Sequence, residues 1–274
     1  MNEIKILASD LDGTLLDNDS NVSEKNLLAI DALARRGIHF VPSTGRTFGE
    51  IHPTIRENPN IRYFIHSNGA VVFDKKTGKK LLKCLSTERA RIIFDLLEGV
   101  GAHIVVRHGG ECYCDPVYKN KEAYEYYRLC YAHVNVVEEY AIEKESFPTF
   151  VRTLDDIEVV SAFFHDDKEF SECKRKLLET GYFRITSAAD YNLEIFNRDA
   201  GKGDALLRLA DMLGIARENT AAVGDSGNDL TIVKAAGVGF AVSNATDELK
   251  AASDKVICSN NEDAIDYIKT HFIK

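Results

Sequence analysis

Residues 4–15 are Ile-Lys-Ile-Leu-Ala-Ser-Asp-Leu-Asp-Gly-Thr-Leu, in which a short and nearly continuous apolar run over 4–9 is followed by the acids Asp10 and Asp12. Such a run is typical of a strand that is buried on both faces of a parallel sheet. The residues that follow predict a helix over 23–36, a strand over 38–43, a helix over 47–56 and a strand over 61–66. Because strands and helices alternate in this βαβαβ order, we expect an α/β fold, a Rossmann-like parallel-sheet core with helices on both faces.

The same alternation returns near the carboxyl terminus. The spacing predicts a helix over 204–213, a strand over 220–224, a helix over 230–236 and a strand over 238–242. The middle of the chain differs in composition and holds nine of the eleven tyrosines. It predicts strands over 103–107, 159–164, 184–186 and 193–196, and helices over 88–98, 121–131 and 168–180. We therefore expect a core of residues 1–82 and 197–274 that is interrupted by an inserted α+β cap domain of residues 83–196.

The composition narrows the classes of function. The formal net charge is -9, so a polyanion would meet a repulsive average field and we expect no nucleic-acid partner. No run reaches the roughly 18 apolar residues that span a bilayer, and the acids in the first apolar run do not fit a secretory signal. The six cysteines contain no CxxC pair, which favours reduced, idle thiols over a zinc site. These features predict a cytoplasmic protein without a membrane partner.

Acidic residues follow the predicted strands at the points where they end. Asp10 and Asp12 follow the first strand, where Gly13 lets the chain turn sharply. Asp225 and Asp229 follow another apolar strand, near the end of the chain. Because the carboxyl ends of parallel strands meet at one edge of a sheet, we expect these carboxylates to converge. Carboxylates that close need a cation, and oxygen ligands without His or Cys favour Mg²⁺.

Other strand ends carry groups that suit an anion. Ser43-Thr44-Gly45-Arg46 ends the second strand with a hydroxyl and leads into the helix predicted over 47–56, whose N-terminus would bind an anion. Lys202 opens the helix that precedes the last acidic strand. Taken singly, these features also fit a turn, a helix cap and a solvated lysine. Together, at the ends of several strands of one sheet, they predict a site for a metal and a phosphate.

These segments resemble, in order, the four motifs of the haloacid dehalogenase-like superfamily. The motifs are Asp10-Leu11-Asp12-Gly13-Thr14, Ser43-Thr44-Gly45-Arg46, Lys202 and Gly224-Asp225-Ser226-Gly227-Asn228-Asp229. The long insertion and Ser67-Asn68-Gly69-Ala70 are similar to the Cof-type phosphatases, the branch with a large α/β cap. The resemblance covers the whole chain at the level of domains. Its motifs are specific for the superfamily and say little about the substrate.

The resemblance implies a chemical role for each acidic motif residue. Asp10 would be the nucleophile that forms an aspartyl-phosphate, since an acyl phosphate is reactive enough for water to cleave. Asp12 would give a proton to the leaving alcohol and then take one from the attacking water. Mg²⁺ would be held by an Asp10 oxygen, the Asp12 backbone carbonyl and Asp225.

The resemblance also implies which residues bind the substrate. The phosphoryl oxygens would be bound by Thr44, Gly45, Lys202 and Asn228. Asp229 would orient the loop or Lys202 without contacting the substrate itself. Arg46 and Asn68 are candidates for binding the rest of the substrate. The candidates in the cap, chosen by polarity or position alone and each with a structural role as the alternative, are Arg107, His108, Glu111, Tyr113 and Glu194. For Arg46, a salt bridge on its predicted helix is an equal alternative.

The implied activity is Mg²⁺-dependent hydrolysis of small phosphomonoesters, such as sugar phosphates or phosphorylated cofactor precursors. A phosphomutase of the same superfamily is one alternative, in which the phosphoryl group returns to another hydroxyl of the sugar. A sugar-phosphate-binding regulator with incidental hydrolysis is another, against which the intact pair of Asp10 and Asp12 argues. A glycosidase would explain neither Lys202 nor Thr44. We expect a monomer or weak homo-oligomer that binds a small phosphate ester.

Overall fold

Strands and helices alternate along most of the chain, which the computed structural model describes over residues 3–187 and 189–273. Its strands are β1 (Ile6–Ser9), β2 (His39–Pro42), β3 (Tyr63–His66), β4 (Val71–Asp74), β5 (Lys79–Leu82), β6 (Ala102–His108), β7 (Glu111–Cys114), β8 (Ala141–Glu143), β9 (Ile157–Phe164), β10 (Phe183–Thr186), β11 (Asn192–Asn197), β12 (Thr220–Gly224), β13 (Val238–Ala241) and β14 (Lys255–Val256). Its helices are α1 (Glu24–Arg35), α2 (Pro53–Arg56), α3 (Thr87–Leu97), α4 (Lys121–Tyr126), α5 (Tyr131–Tyr140), α6 (Phe147–Val151), α7 (Asp167–Glu179), α8 (Lys202–Leu213), α9 (Leu230–Ala235), α10 (Asp247–Ala252) and α11 (Ala264–Phe272).

A parallel sheet in the order β14-β13-β12-β1-β2 forms the centre of the first of two compact units. This unit contains the residues up to Gly45, Ile51–Leu81 and the residues from Gly201 onward. β1 lies between β12 and β2, with Ile6 opposite both Thr220 and His39. A parallel bridge from Ser43 to Ile65 brings β3 alongside β2, and β3 continues into the three-stranded sheet β3-β4-β5. The predicted parallel core is confirmed.

The predicted helices over 23–36 and 204–213 are present as α1 and α8. Ser23 begins α1, because its side-chain oxygen accepts a hydrogen bond from the backbone N–H of Asn26 at 3.1 Å. Gly214 ends α8 in the left-handed conformation, with φ of 65°, which glycine adopts without strain. No helix in the described part of the chain is both long and apolar enough to cross a membrane.

The second compact unit contains Arg46–Glu50 and Leu82–Ala200 and is built on a sheet in the order β10-β11-β9-β6-β7-β8. Its paired neighbours are antiparallel except for β7 and β8, which are parallel. Along β9, Val160, Ala162 and Phe164 pack into one apolar cluster with side chains of α3, α6 and α7. Phe163 packs into another with residues of α4 and α5. A mixed sheet with helices matches the predicted α+β class of the insertion.

The helix predicted over 47–56 is wrong, since only Pro53–Arg56 is helical. Proline disfavours the helical conformation in the residue before it, and His52 has φ of -52° and ψ of 135°. The helix therefore begins at Pro53 and is a single turn. The N-terminus that we expected to follow Thr44 and to bind an anion is absent from this described segment.

The helix predicted over 121–131 is also wrong in extent. The chain leaves the helical conformation after α4, where Arg128 has φ of 55°, and a second helix, α5, follows. A left-handed residue that is not glycine is unfavourable, so this break depends on tertiary packing rather than on local propensity. The short elements β7, β8 and α6 were not among the predicted strands and helices of the insertion.

Candidate active site

The first acidic residue, Asp10, lies at the carboxyl end of β1 and is only 6% exposed. Its backbone N–H donates to the carbonyl of Val223 on β12 at 3.0 Å, which extends the sheet by one residue. The chain then turns at Gly13, whose φ is 77°. A Cβ atom at Gly13 would lie 2.7 Å from Oδ2 of Asp225, so the turn needs glycine for both its conformation and its space. This turn places the end of β1 against Asp225.

The carboxylate of Asp229 holds the loop that follows β12. Its Oδ2 accepts hydrogen bonds from the backbone N–H groups of Asp225 at 3.1 Å and Ser226 at 3.2 Å. Its Oδ1 accepts a hydrogen bond from Nζ of Lys202 at 2.6 Å. Both oxygens of this buried carboxylate thus have protein partners, and the loop is tied to the first residue of α8.

Lys202 is a buried ammonium between two carboxylates. It lies at the start of α8, and its Nζ donates to Oδ1 of Asp10 at 2.7 Å as well as to Asp229. Burial alone lowers the pKa of a lysine, but the charges of Asp10 and Asp229 outweigh it and raise the pKa of Lys202 above its ordinary value. Lys202 is therefore a fixed positive charge.

The carboxylates around Lys202 outnumber it. One oxygen each of Asp10, Asp225 and Asp229 lies within 4.8 Å of the others. Burial, followed by the charge of Asp229, raises the pKa of Asp10 well above its usual range. The same causes raise the pKa of Asp225 to about 6. Carboxylates in this state lack compensating positive charge, and an all-oxygen donor set suits a hard cation such as Mg²⁺.

The other predicted residues of these loops are placed differently. Asp12 is exposed, and its carboxylate is not part of the group formed by Asp10, Asp225 and Asp229. We expected its backbone carbonyl, rather than its carboxylate, to hold the metal. Asn228 is half-buried, and its Oδ1 accepts a hydrogen bond from the Ser226 hydroxyl at 2.8 Å. This contact orients the Asn228 amide within the loop after β12.

Thr44, Gly45 and Asn68 lie together where β2 and β3 end. The backbone N–H of Thr44 donates to the carbonyl of Ile65 at 3.0 Å, and that of Asn68 donates to the carbonyl of Thr44 at 3.1 Å. A Cβ atom at Gly45 would lie 3.0 Å from Oδ1 of Asn68. Because Ser9 of β1 is paired with Pro42 of β2, Thr44 is at the same sheet edge as Asp10.

Arg46 and Glu194, which we expected to contact the substrate, belong to the second compact unit. Arg46 donates from Nη1 to the backbone carbonyl of Glu50 at 3.2 Å. Glu194 is buried on β11 and accepts a hydrogen bond from the Thr186 hydroxyl at 3.3 Å. Their part in substrate binding stays a prediction.

Two residues that support the site were not predicted. The Thr14 hydroxyl donates to Oδ1 of Asp225 at 3.4 Å, and Nδ2 of Asn244 donates to the carbonyl of Gly13 at 2.8 Å. Asn244 follows β13, which is the next parallel strand beside β12. The reasoning that polar residues at the ends of parallel strands share one edge applies to Asn244 as well, so a signal for it was present in the sequence.

The sequence of this chain matches a known protein family and is similar to known proteins. The model of the haloacid dehalogenase-like hydrolase family matches residues 7–268 of this chain. A protein named Phosphatase YwpJ from Bacillus subtilis (strain 168) is 32% identical over 98% of this chain and 100% of its own length. A second relative from the same organism, named 5-amino-6-(5-phospho-D-ribitylamino)uracil phosphatase YcsE, is 26% identical over 99% of this chain and 96% of its own length.

A solved structure shares the fold. It is described as a haloacid dehalogenase-like hydrolase from B. subtilis, and it superposes with a TM-score of 0.83 at 29% sequence identity. The superposition covers 98% of this chain and 100% of that one. The likeness therefore extends over both compact units and is not confined to the motifs.

Proposed function

Since the chain belongs to the haloacid dehalogenase-like hydrolases, in their Cof-type branch, and is a phosphoric monoester hydrolase, we propose that it uses Mg²⁺ and an aspartyl-phosphate intermediate to hydrolyse small phosphomonoesters. The observation that carries this proposal is the buried cluster of Asp10, Asp225 and Asp229 around the single ammonium of Lys202. Its excess negative charge needs a cation, and its position at the strand ends suits a phosphate ester.

Asp10 acts as the nucleophile in this proposal. Lys202 holds its Oδ1 at 2.7 Å, which fixes the orientation of the carboxylate, and Oδ2 is the oxygen that we propose attacks the substrate. An oxygen of Asp10 bonds to phosphorus while the bond from phosphorus to the ester oxygen breaks. Asp12, which is exposed beside the cluster, gives its proton to the departing alkoxide.

The second half of the reaction uses the same residues. Asp12, now ionised, takes a proton from a water molecule, and the water oxygen attacks the phosphorus of the aspartyl-phosphate. The bond between phosphorus and Asp10 breaks, so inorganic phosphate leaves and the carboxylate is restored. Lys202, the hydroxyl of Thr44, the N–H of Gly45 and the amide of Asn228 bind the phosphoryl oxygens through both steps.

The residues present fit a magnesium ion. Carboxylate oxygens of Asp10 and Asp225 and the backbone carbonyl of Asp12 would hold it, and all three are the hard oxygen donors that Mg²⁺ prefers. When bound, Mg²⁺ neutralises part of the charge of the cluster and of the phosphate ester. Asp229 is not needed as a ligand, because Lys202 and two backbone N–H groups occupy its oxygens.

The proposed substrates are sugar phosphates or phosphorylated cofactor precursors. The relative YcsE is named for a phosphomonoester on a ribityl chain, which is a substrate of this kind. We assign residues 1–82 and 197–274 to a catalytic core domain and residues 83–196 to a cap domain that selects the substrate. Arg46, Asn68 and Glu194 are the proposed contacts to the part of the substrate beyond the phosphate.

The proposal is tested by measuring phosphate release from a panel of phosphorylated sugars and cofactor precursors. We expect several to be hydrolysed with Mg²⁺, none after treatment with EDTA, and activity to return when Mg²⁺ is restored. Calcium should not restore activity, because its looser coordination sets the attack angle poorly. An isomeric sugar phosphate in place of inorganic phosphate would identify a mutase instead. Turnover below about 0.01 per second on every ester, against about 10 per second for a median enzyme, would favour a regulator.

A further inference from the structure

The segment Arg46–Glu50 follows Thr44 and Gly45 directly, and it is held by side chains and backbone of the second compact unit. The backbone N–H of Gly49 donates to the carbonyl of Gly110 at 2.9 Å. The segment has turns where we expected the first turns of a helix. Its conformation therefore depends on partners from distant parts of the chain rather than on helical hydrogen bonds.

The carboxylate of Glu50 is the centre of these contacts. Its side chain is 1% exposed, and its Oε2 accepts a hydrogen bond from the backbone N–H of Thr47 at 2.7 Å. Nε of Arg107, on β6, donates to both of its oxygens, at 3.1 and 3.2 Å. Nη1 of Arg107 donates in turn to the hydroxyl of Ser161 on β9 at 2.7 Å. One carboxylate thus ties the segment to two central strands of the sheet.

A buried ion pair of this kind contributes little net stability. The cost of removing both charges from water is close to the attraction gained between them, and apolar residues of similar volume often stabilise a fold as well or better. What the pair provides here is a fixed conformation, because an oriented carboxylate accepts the N–H of Thr47 where a helix would have supplied no acceptor. Thr47 is three residues from Thr44, which is about 11 Å of extended chain at most.

We propose that Glu50, held by Arg107, is a positioning residue for phosphate binding. This inference rests on the proposed function, in which Thr44 and Gly45 bind the phosphoryl oxygens. By fixing the backbone at Thr47, Glu50 restricts the conformations open to the residues just before it in the chain, Thr44 and Gly45 among them, so that binding has less conformational freedom to remove. The phosphoryl oxygens are bound in the ground state and in the transition state alike. Loss of the positioning should therefore raise KM and leave kcat nearly unchanged.

The test compares variants that keep the buried charges balanced, because a single neutral substitution would leave an unpaired charge. In Glu50→Ala/Arg107→Met the acceptor for Thr47 is lost, whereas in Glu50→Gln/Arg107→Met the Gln side chain still accepts that N–H. Arg107→Lys keeps the charge balance but replaces the planar guanidinium with a point charge. It remains informative if both double variants unfold. Ser161→Ala is the matched control, because it removes a contact of Arg107 without touching the segment.

The measurements are calorimetric binding of inorganic phosphate in the presence of Mg²⁺ and the separate values of kcat and KM for para-nitrophenyl phosphate. For Glu50→Ala/Arg107→Met we expect phosphate binding about tenfold weaker, or about 1.4 kcal/mol, with KM raised to match. For Glu50→Gln/Arg107→Met we expect phosphate binding within about twofold of the parent, and for Arg107→Lys about threefold weaker, since part of the hold on Glu50 remains. Ser161→Ala should lower the melting temperature and leave phosphate binding unchanged.

Several outcomes would overturn the inference. Equal phosphate binding in the parent, the folded double variants and Arg107→Lys would show that Glu50 positions nothing. If Ser161→Ala weakened phosphate binding as much as the variants of Glu50 and Arg107 do, the cause would be a general loss of packing and not the loss of positioning by Glu50. Thr44→Ala separates this failure from that of the proposed function. If Thr44→Ala binds phosphate as the parent does, the proposed role of Thr44 fails and this inference fails with it. If only Thr44→Ala is weaker, the positioning role alone is wrong.

Discussion

Two groups of buried charges, one in each compact unit, differ in how their charges balance. Around Lys202 the carboxylates of Asp10, Asp225 and Asp229 face a single ammonium. In the second unit Glu50 faces Arg107, one charge against one, and Ser161 takes a further N–H of the guanidinium. All of these residues are buried except Asp225, which is partly exposed, so burial alone does not distinguish the two groups.

The difference is in what each group does to the pKa values of its members. Burial and the neighbouring charges raise the pKa of Asp10 and of Asp225, so these carboxylates resist ionisation. Burial lowers the pKa of Arg107, but the charge of Glu50 more than compensates and keeps it above its ordinary value. A group with excess negative charge still needs the positive charge that a cation would bring when cation and substrate bind. A group with equal opposite charges needs no ligand and serves to fix the conformation of the protein.

The largest effect that this comparison predicts is on turnover. Asp10→Asn should lower kcat by at least about 10⁴-fold, because the amide keeps the shape but is not a nucleophile. Because the substitution also removes one of three crowded carboxylates, the metal-free variant should be at least as stable as the parent. Steady-state kinetics and thermal unfolding measure the two effects.

Asp19→Asn is the matched control for Asp10→Asn, since Asp19 is exposed and the change of charge is the same. It should leave both turnover and stability unchanged. Activity of Asp10→Asn within tenfold of the parent would refute the nucleophile. A marked loss of stability in Asp10→Asn would mean that the negative charge of the cluster is already compensated in the metal-free protein.

The balanced pair should behave in the opposite way. Arg107→Met should destabilise the fold by about 3–5 kcal/mol, because it leaves the carboxylate of Glu50 buried without its partner. Glu50→Gln/Arg107→Met should recover most of this loss, since no charge is then left unpaired. Urea unfolding of both variants and the parent gives the comparison. A loss below about 1 kcal/mol in Arg107→Met would show that water reaches Glu50 and that the pair is not a buried one.

These two groups also show how far the sequence predicts the molecule. The strands that carry Asp10 and Asp225 are continuous apolar runs that end in acids, so both their type and their meeting at one edge follow from local pattern and sheet topology. The contact of Lys202 with Asp229 was one of two roles that the motif resemblance implied for Asp229, and the contact with Asp10 was not predicted, because spacing alone places Lys202 only at the start of a helix.

The pair of Glu50 and Arg107 could not be predicted in this way. The residues are 57 positions apart, and each has an ordinary solvated alternative when considered alone. Thr47–Arg56 has helical spacing, but Pro53 restricts where a helix can begin and Glu50 supplies a tertiary acceptor that competes with helical hydrogen bonds. Tertiary contacts therefore decide this segment, and the same holds for the break at Arg128 between α4 and α5.

A third buried group, His103, extends the comparison to a residue with no charged partner. Its side chain is 0% exposed and packs against the rings of Tyr118, Tyr124, Tyr127 and Phe163. Neither ring nitrogen has a hydrogen-bond partner among the described residues. Burial, followed by the charge of His133, lowers the pKa of His103 to about 4. The imidazole is therefore neutral in the folded protein at neutral pH.

This shift predicts a loss of stability in acid. Above the unfolded pKa of about 6.5, His103 is neutral in both states and contributes no pH dependence. As the pH falls from about 6.5 to about 4, the unfolded chain takes up the proton and the folded protein does not, so stability falls by up to about 3 kcal/mol. His103→Phe should remove this component, so the stability difference between variant and parent should change by that amount between pH 7.5 and pH 4. A difference that is independent of pH would show that the ring is protonated, or reached by water, in the folded state.

The smallest predicted effect is a gain in the free energy of unfolding when Mg²⁺ is added. This gain should depend on the cluster of Asp10, Asp225 and Asp229 and not on the pair of Glu50 and Arg107. Metal that binds only the folded protein stabilises it by RT ln(1 + [L]/Kd), which is about 2.7 kcal/mol at a concentration of 100 Kd. We expect Mg²⁺ to stabilise the parent and Arg107→Lys alike, because that pair has no unmet charge. Asp225→Asn should lose the stabilisation, since it removes a carboxylate of the cluster, whereas Asp211→Asn, an exposed acid on α8, should keep it. Because unfolding with and without Mg²⁺ is measured without substrate, an unchanged gain in Asp225→Asn would place the metal elsewhere even if the enzyme still hydrolysed phosphate esters.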